Sequence, residues 1–313
     1  MADPMWEADV GTGGEPPREV PTVRSVLGRA SGRIGARDSA LLLASVLGWA
    51  RQRIYVEPMR PLTHTETRRF ERLVRERRRG EPVAYLTGRV AFWTLTLEVT
   101  RDVLIPRPET ECLVEAVLEC LARFRTDPPR GSPLPRALSV ADVGTGSGAI
   151  ACALATSFAP PVEVYATDLS ARALSVARRN VRSLGLEDRV RFEGPGDLLT
   201  PLAKSGVEVD LLVMNPPYVR SRDRLRLSRE VAREPERALD GGPDGLRIVR
   251  RLIRSVSLLG VLRPGGFLWL EVGRGQAGPV RHLLEEAGFA DVEVRPDLSG
   301  IERVVGARWP VSR

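Results

Sequence analysis

The sequence predicts an α/β protein with a doubly wound, mostly parallel sheet and a small helical domain in front of it. Strand-like and helical stretches alternate from residue 137 onwards, which is typical of parallel strands joined by helices. A glycine-rich turn joins the first of these strands to a helix, and residues 21 to 80 show apolar side chains at helical spacing. The 313 residues are enough for one large and one small domain.

Bulk composition indicates a folded protein but does not select its partner. Hydrophobic residues make up 42% of the chain and charged residues 28%, which is ordinary for a globular protein. The formal net charge is +7, but 40 acidic residues are interspersed among the basic ones, so charge alone does not predict nucleic-acid binding. Cys112, Cys120 and Cys152 form no CxxC pair and have no nearby histidine, so we expect no metal site, no disulfides and a cytoplasmic location.

The first 20 residues show no targeting signal. They lack the apolar core of a secretion signal and are too acidic for a mitochondrial transit peptide. No stretch of the chain approaches the roughly 20 apolar residues of a membrane span. We therefore expect a disordered tail over residues 1 to 20 and no membrane partner.

Residues 21 to 80 are predicted to form the helical domain. Apolar residues repeat at helical spacing after Asp38, which is a candidate N-cap. Thr63 and Glu66 have the spacing of a capping box at the start of a further helix. That helix ends in the charge run RERRRGEP, which we interpret as a solvated helix end rather than a docking patch.

Residues 81 to 111 change to a strand-like pattern. The stretch FWTLTLEVT alternates apolar and polar residues, and residues 103 to 105 are expected to begin a second short strand before Pro106. This predicts a hairpin that links the helical domain to the rest of the chain. The proline-rich stretch at residues 125 to 136 then predicts a loop.

Seven strands are predicted after that loop. They are expected at residues 137–143, 162–167, 189–193, 209–214, 266–272, 291–296 and 302–309, with helical stretches between most of them. A sheet of this kind binds its ligand at the carboxyl ends of the strands. The residues that follow each strand are therefore the candidates for a functional site.

The first predicted strand runs into DVGTGSGAIACALA, a strand, a glycine turn and a helix. Gly144, Gly146 and Gly148 allow a tight turn and the close approach of a ligand to the backbone. Asp168 ends the second strand, where its carboxylate can accept hydrogen bonds from ribose hydroxyls. These features predict an adenosine-bearing cofactor, but Gly144, Gly146 and Ala149 also satisfy the G-x-G-x-x-A pattern of NAD enzymes.

Asp197 follows the third predicted strand. Its carboxylate is suitably placed to accept a hydrogen bond from an adenine amino group. An ordinary aspartate in a turn explains the residue equally well, so this position alone does not decide the cofactor.

The fourth strand stops abruptly in DLLVMNPPYVRS. Two consecutive prolines, Pro216 and Pro217, remove two backbone donors and prevent further sheet pairing. Asn215 therefore stands at the edge of the sheet that carries the glycine turn. The tetrapeptide resembles the signature of enzymes that use S-adenosylmethionine to methylate planar nitrogens conjugated to a carbonyl or a ring.

The chemistry of such a nitrogen explains these residue types. Its lone pair is delocalised, so two acceptors aimed at its two N–H bonds would orient it towards the methyl donor. The side-chain carbonyl of Asn215 and the backbone carbonyl of Pro216 can supply them, and the prolines keep this backbone rigid. Tyr218 can stack its ring on the planar group. No strong general base is needed, because the nitrogen becomes acidic as it is alkylated.

The whole set of motifs resembles one family, the release factor glutamine methyltransferases (the PrmC/HemK group). The motifs EPVAYLTG, VLIPRPETE, DVGTGSGAIA, NPPYV, DGGPDGL and LRPGGFLWLEVG occur in that family's order across residues 81 to 273. The resemblance implies a class I S-adenosylmethionine-dependent fold, which is Rossmann-like with a seven-stranded, mostly parallel sheet. It also implies a substrate-docking domain over residues 21–80, a linking hairpin over 81–111 and a methyltransferase domain over 112–313.

The resemblance further implies N5-methylation of the glutamine in the Gly-Gly-Gln motif of class 1 peptide chain release factors. It assigns cofactor binding to Gly144, Thr145, Gly146, Ser147, Gly148, Asp168, Asp197, Leu198 and Asn215, and glutamine binding to Asn215, Pro216, Pro217 and Tyr218, with Asn215, Pro216 and Tyr218 as the catalytic group. The family often has tryptophan where this chain has Leu198, so aromatic stacking on the adenine is not expected. Glu109 and Glu111 either shape the mouth of the site or form structural salt bridges.

Two other classes of function share part of this pattern. An N6-adenine DNA or RNA methyltransferase needs the same pair of acceptors, but the segment after NPPY is short and of mixed charge, which does not favour nucleic-acid recognition. A catalytically inactive scaffold is disfavoured because the glycine loop, Asp168 and NPPY are all intact. We expect a monomer that binds its protein substrate transiently.

Overall fold

Two units make up the fold, and their boundary falls between Arg79 and Gly80. The structure is a computed structural model that describes residues 20–126, 137–159 and 162–310. The expected N-terminal tail, apart from its last residue, and most of the expected loop at 125–136 lie outside the described residues. No helix within the described ranges is long and apolar enough to cross a membrane.

The part of the smaller unit that the structure describes contains four helices, α1 Val23–Ile34, α2 Ala36–Leu47, α3 Arg53–Val56 and α4 His64–Arg78. The predicted capping box at the start of α4 is confirmed. The Thr63 hydroxyl accepts from the Glu66 N–H at 3.2 Å, and the Glu66 carboxylate accepts from the Thr63 N–H at 2.8 Å. These bonds satisfy backbone donors that the first helical turn leaves without partners.

The N-cap predicted at Asp38 is wrong, because α2 begins earlier. Gly35, with φ of 83°, reverses the chain directly after α1 and takes the N-cap position itself. Asp38 therefore lies inside the first turn of α2, and its carboxylate accepts from the Arg77 guanidinium at 2.7 Å. An ion pair from 39 residues away decides the role of this side chain, which local spacing could not indicate.

The larger unit opens with α5 Val83–Thr87 and an antiparallel hairpin of β1 Arg89–Phe92 and β2 Leu95–Glu98. The prediction of one continuous strand through FWTLTLEVT is wrong, because the chain reverses at Trp93, which has φ of 56°. The second strand expected at residues 103–105 is also wrong. The Ile105 N–H donates to the Glu234 carboxylate at 3.0 Å rather than to a neighbouring strand, and Pro106 follows at once.

The predicted seven-stranded sheet is confirmed. The strands after the hairpin are β3 Ser139–Val143, β4 Glu163–Thr167, β5 Val190–Glu193, β6 Val209–Met214, β7 Val219–Arg220, β8 Asp240–Gly242, β9 Leu262–Glu271, β10 Ala290–Pro296 and β11 Glu302–Arg308. The sheet has the order β10-β11-β9-β6-β3-β4-β5, and β7 and β8 form a separate parallel pair. In the large sheet only β11 runs against the other strands, since it pairs antiparallel with both of its neighbours.

Among the described residues, six α-helices follow the hairpin and cover the two faces of the sheet. They are α6 Thr110–Thr126, α7 Ala149–Ser157, α8 Ala171–Ser183, α9 Thr200–Lys204, α10 Arg247–Leu259 and α11 Ala277–Glu286. Apolar side chains of α6 and α7 pack on one face, and those of α10 and α11 pack on the other. β3 and β6 are buried along their whole length, as expected of central parallel strands covered on both sides. This burial fixes the positions of the loops that follow these two strands.

Candidate active site

A cavity lies at the carboxyl ends of the central strands, where the sequence predicts the site. Its walls come from the glycine loop, from the loops after β4, β5 and β6, and from the segment 102–110. Nine of the predicted site residues line it: Gly144, Thr145, Gly146, Ser147, Asp168, Asp197, Leu198, Asn215 and Pro217. Gly148, Pro216 and Tyr218 lie next to these residues in the chain but are not part of the lining formed by the described residues.

The glycine loop is held against the end of β4. The Gly144 N–H donates to the Thr167 carbonyl at 2.8 Å. The Asp168 carboxylate accepts from the Gly146 N–H at 2.9 Å and from the Ser170 N–H at 2.8 Å. Burial raises the pKa of Asp168, while these two N–H groups lower it. Each carboxylate oxygen has a second lone pair, so Asp168 can still accept from ribose hydroxyls.

Gly148 ends the glycine loop and faces α8. It is the N-cap of α7 with φ of 80°, and a Cβ at this position would lie 3.2 Å from the Cβ of Ala177 in α8. The absence of a side chain therefore lets α7 and α8 approach each other closely. Gly148 is therefore a packing residue between these two helices.

Asp142 is a site residue that the sequence reading did not select. Its Oδ2 accepts from the Thr145 hydroxyl at 2.6 Å and from the Ala151 N–H at 3.1 Å, which ties the glycine loop to α7. Its Oδ1 is buried and has no hydrogen-bond partner among the described residues. Burial raises the pKa of Asp142 to about 7. Asp142 is the first residue of the motif DVGTGSG, and this position is the sequence feature that could have indicated its role.

The loop after β5 carries Asp197 and Leu198 to the cavity. Asp197 forms an ion pair with Arg251 of α10, a partner that sequence spacing could not reveal. Leu198 has φ of 47°, the left-handed region in which a branched side chain is rare. Strain of this kind costs on the order of 1 kcal/mol and is typical of ligand sites, where the surrounding fold imposes the conformation.

Asn215 makes its polar contact through Thr110, the first residue of α6. The Asn215 Nδ2 donates to the Thr110 hydroxyl at 3.1 Å, and that hydroxyl donates to the Glu271 carboxylate at 2.6 Å. Glu271 ends β9, and the pairing of Met214 with Leu270 brings Asn215 and Glu271 to the same level of the sheet. The sequence did not predict a role for Thr110 or Glu271, although Thr110 lies in the motif VLIPRPETE and Glu271 lies in LRPGGFLWLEVG.

Glu271 is almost completely buried, and its surroundings perturb it strongly. Burial raises the pKa of Glu271 to about 7, and its contacts with Thr110 and the Tyr218 hydroxyl act in the opposite direction. Burial and the nearby Glu271 carboxylate raise the pKa of Tyr218. The Tyr218 hydroxyl therefore faces Glu271, which is a contact that the stacking role predicted for this residue did not include.

The backbone of NPPY rests on the motif DGGPDGL. A Cβ on Gly241 would lie 2.6 Å from the Pro217 carbonyl oxygen, so only glycine fits at this point. The Gln276 side chain donates to the Tyr218 carbonyl at 3.1 Å and accepts from the Gly273 N–H at 2.8 Å. These contacts hold the backbone of the tetrapeptide in place. The motif thus has a structural explanation that its sequence alone did not supply.

Asn180 of α8 fastens the hairpin to the glycine loop. Its side chain exchanges two hydrogen bonds with the backbone of Glu98, at 2.7 and 2.9 Å, and donates a third to the Ser147 carbonyl at 2.8 Å. Glu111 accepts from the Trp93 N–H at 2.7 Å, which assigns it to the support of the hairpin turn. The 81–111 segment is therefore part of the larger unit, and it forms one wall of the cavity through residues 102–106.

Comparison with known proteins identifies the family. Residues 23–88 match the family model described as the PrmC N-terminal domain, and residues 132–257 match the methyltransferase small domain. The release factor glutamine methyltransferase of Burkholderia pseudomallei is 40% identical, with 93% of this chain and 97% of the relative aligned. That of Moorella thermoacetica is 42% identical over 90% of this chain and 96% of the relative.

The chain belongs to the release factor glutamine methyltransferase family. Among solved structures, the hMettl16 catalytic domain in complex with MAT2A 3′UTR hairpin 6 has a TM-score of 0.53 at 16% identity, with 80% of this chain and 83% of that chain covered. This likeness concerns the fold alone. Membership of the family makes the chain an S-adenosylmethionine-dependent methyltransferase, as the motifs predict.

The residues of the cavity fit S-adenosylmethionine. The glycine loop presents backbone without side chains, and a Cβ on Gly144 would lie 3.4 Å from the Met214 side chain. The part-buried Asp168 lines the cavity beside this loop, and its carboxylate suits the ribose hydroxyls of the cofactor. Asp142 is fully buried and lies outside the lining, and it holds the loop through the Thr145 hydroxyl. Leu198 and Ile248 add apolar surface to the walls for the adenine.

Proposed function

We propose that this chain transfers the methyl group of S-adenosylmethionine to the side-chain nitrogen of the glutamine in the Gly-Gly-Gln motif of class 1 peptide chain release factors. The observation that carries the proposal is the placement of Asn215 and Pro217 in the wall of the cavity that also contains the glycine loop and Asp168. Relatives at about 40% identity, named release factor glutamine methyltransferase and aligned over almost their whole length, support a release factor as the substrate.

The chain's own residues would bind and orient the glutamine amide. The Asn215 Oδ1 and the Pro216 carbonyl accept from its two N–H bonds, which localises the nitrogen lone pair towards the donor. Tyr218 and Pro217 border the planar group. S-adenosylmethionine supplies an electrophilic methyl group and a sulfonium that leaves as a neutral thioether. The nitrogen–carbon bond forms as the carbon–sulfur bond breaks, and the alkylated nitrogen loses its proton to water.

The roles of the two parts of the chain belong to the same proposal. Residues 21–80 would dock the release factor, and residues 81–111 would link them to the methyltransferase domain over 112–313 while closing the cofactor cavity. We further propose a cytoplasmic monomer that binds the release factor transiently and has no stable nucleic-acid partner. Light scattering gives the molar mass of the free protein, which should be that of a monomer. The same measurement on a mixture with the release factor shows whether a complex forms.

One assay tests the proposed substrate. The protein is incubated with S-adenosylmethionine labelled in its methyl group, together with a purified class 1 release factor and an adenine-containing oligonucleotide. We expect label on the release factor, and a release factor whose Gly-Gly-Gln glutamine is replaced by alanine should remain unlabelled. Label on the oligonucleotide alone would replace the proposal by the adenine reaction.

A further inference from the structure

We propose that Thr110 and Glu271 are positioning residues that fix the orientation of the Asn215 carboxamide, so that its oxygen and not its nitrogen faces the substrate. This inference rests on the proposed function, in which the Asn215 oxygen accepts from the glutamine amide. It concerns two residues on different elements, at the start of α6 and at the end of β9. The hydrogen bonds from Glu271 through Thr110 to Asn215 form a relay.

The direction of the relay follows from the count of donors and acceptors. An ionised carboxylate only accepts hydrogen bonds, and a threonine hydroxyl has one hydrogen to donate. The Thr110 hydroxyl donates its hydrogen to the Glu271 carboxylate at 2.6 Å. With its hydrogen committed, the hydroxyl can only accept from Asn215, whose Nδ2 lies 3.1 Å away.

The opposite orientation of Asn215 is disfavoured at both ends. If the amide were rotated by half a turn, its oxygen would face the lone pairs of the Thr110 hydroxyl. Its NH2 group would then face the NH2 group of the glutamine, so that two donors would meet and the substrate nitrogen would lose an acceptor. The relay therefore converts a side chain with two nearly isosteric orientations into one with a defined acceptor.

The surroundings of Glu271 suit an anchor for this relay. It is 1% exposed, and its Oε1 has no hydrogen-bond partner among the residues that the structure describes. The groups that act on it are the Thr110 and Tyr218 hydroxyls, the Arg303 guanidinium of β11 and the Glu109 carboxylate. Because burial raises the pKa of Glu271 to about 7, the tests are made at pH 8, where its carboxylate is ionised.

Three variants separate the relay from simple packing. Thr110→Val keeps the shape of the side chain and removes the hydroxyl, and Glu271→Gln replaces an acceptor by a group that can also donate. Both should lower kcat by about tenfold or more, because a misplaced polar group reduces the rate of transfer. The Kd for S-adenosylmethionine should stay within about twofold. Thr110→Ser keeps the hydroxyl and should restore most of the turnover.

Asp210→Asn is the matched control for burial. Asp210 is 3% exposed at the other end of β6, where its carboxylate accepts from the Ser139 N–H at 2.9 Å. This variant perturbs a buried acid of the same sheet far from the cavity. It should affect thermal stability and leave kcat unchanged. A tenfold loss of kcat in Asp210→Asn would indicate that the losses in Thr110→Val and Glu271→Gln come from general destabilisation. That result would overturn the relay.

A second measurement needs no protein substrate. Asn180 and Asn215 are the two asparagines of the whole chain, so labelling asparagine with nitrogen-15 gives two side-chain amide pairs in the NMR spectrum. We expect Thr110→Val and Glu271→Gln to shift the Asn215 pair and to speed its hydrogen exchange. The Asn180 pair, bonded to Glu98 and Ser147, should stay in place and show that the variants are folded.

The two readouts distinguish the outcomes. If the wild-type protein labels no release factor but Thr110→Val still shifts the Asn215 pair, the proposed substrate fails and the relay stands. Unchanged Asn215 resonances in Thr110→Val would show that the hydrogen bond does not exist. Unchanged kcat in Thr110→Val, with an active wild-type protein, would overturn the positioning role even if the resonances move.

Discussion

At the scale of single residues, Asn215 is the most direct test of the proposed chemistry. Replacing Asn215 by alanine removes one of two acceptors and should lower methyl transfer by at least ~10²-fold, as is typical for the loss of a preorganised polar contact. The cofactor contacts of the glycine loop remain, so the Kd for S-adenosylmethionine should change little. Turnover is measured with labelled cofactor and the Kd by calorimetry. Wild-type turnover in this variant would remove Asn215 from the mechanism.

Leu198 tests where the adenine binds. It lines the cavity beside Asp197. A tryptophan here should stack on the base, and such contacts contribute ~0.5–1.5 kcal/mol. Leu198→Trp should therefore bind S-adenosylmethionine about 2- to 12-fold more tightly. A cofactor fragment without the adenine base should show no gain, and an equal gain for both ligands would place the adenine elsewhere.

At the scale of elements, regular structure could be predicted and irregular structure could not. The strands of the large sheet follow from apolar runs, since β3 and β6 are buried on both faces. The hairpin turn at Trp93 was missed because a positive φ at an aromatic residue has no sequence signature, and the Glu111 carboxylate that holds it lies 18 residues away. Alternation predicts a strand but does not indicate where the chain reverses.

The residues of the candidate site show the same difference between what the sequence predicts and what it does not. Residues that directly follow a strand, such as Gly144, Asp168 and Asn215, could be selected because parallel strands bring their carboxyl ends together. Thr110 and Glu271 are 161 residues apart, and no spacing rule connects the start of a helix with the end of a distant strand. Residues that only support the site were therefore found through the structure.

The packing of β8 under NPPY gives a prediction for an element. Gly241→Ala would place a Cβ 2.6 Å from both the Pro217 and Gly245 carbonyl oxygens, and backbone atoms cannot move as freely as side-chain ends. We expect a loss of stability of the order of 1–3 kcal/mol, as for overpacking in a core, together with a lower kcat. Unfolding in urea and turnover are measured on the same preparations.

Gly278→Ala is the matched control for this change. Gly278 lies in α11, where an added Cβ meets nothing within 4 Å, so the substitution should be neutral or slightly stabilising. Equal effects of the two substitutions would mean that β8 does not hold the tetrapeptide in place.

At the scale of the whole molecule, two buried carboxyl groups link stability to pH. Burial raises the pKa of Asp142 and of Glu271 to about 7, from ordinary values of 3.8 and 4.5. Both lie at the carboxyl edge of the sheet and both have one oxygen without a partner among the described residues. The fold thus keeps two acidic groups in surroundings that disfavour their charged forms, and this is typical of functional sites.

The sign of the pH dependence follows from these shifts. A group with a raised pKa binds a proton more readily when folded, so its contribution to stability is fully present below about pH 4 and is lost as the pH rises through about 7. The free energy of unfolding of the wild-type protein should therefore be lower at pH 8 than at pH 5, by about 1.4 kcal/mol per group for each pH unit between 5 and the folded-state pKa of about 7. Asp142→Asn and Glu271→Gln should each reduce this difference, because an amide does not titrate. Unfolding in urea at pH 5 and pH 8 measures this difference for the wild type and the two variants. An equal decrease in the free energy of unfolding in all three proteins would show that neither carboxyl group ionises within this range.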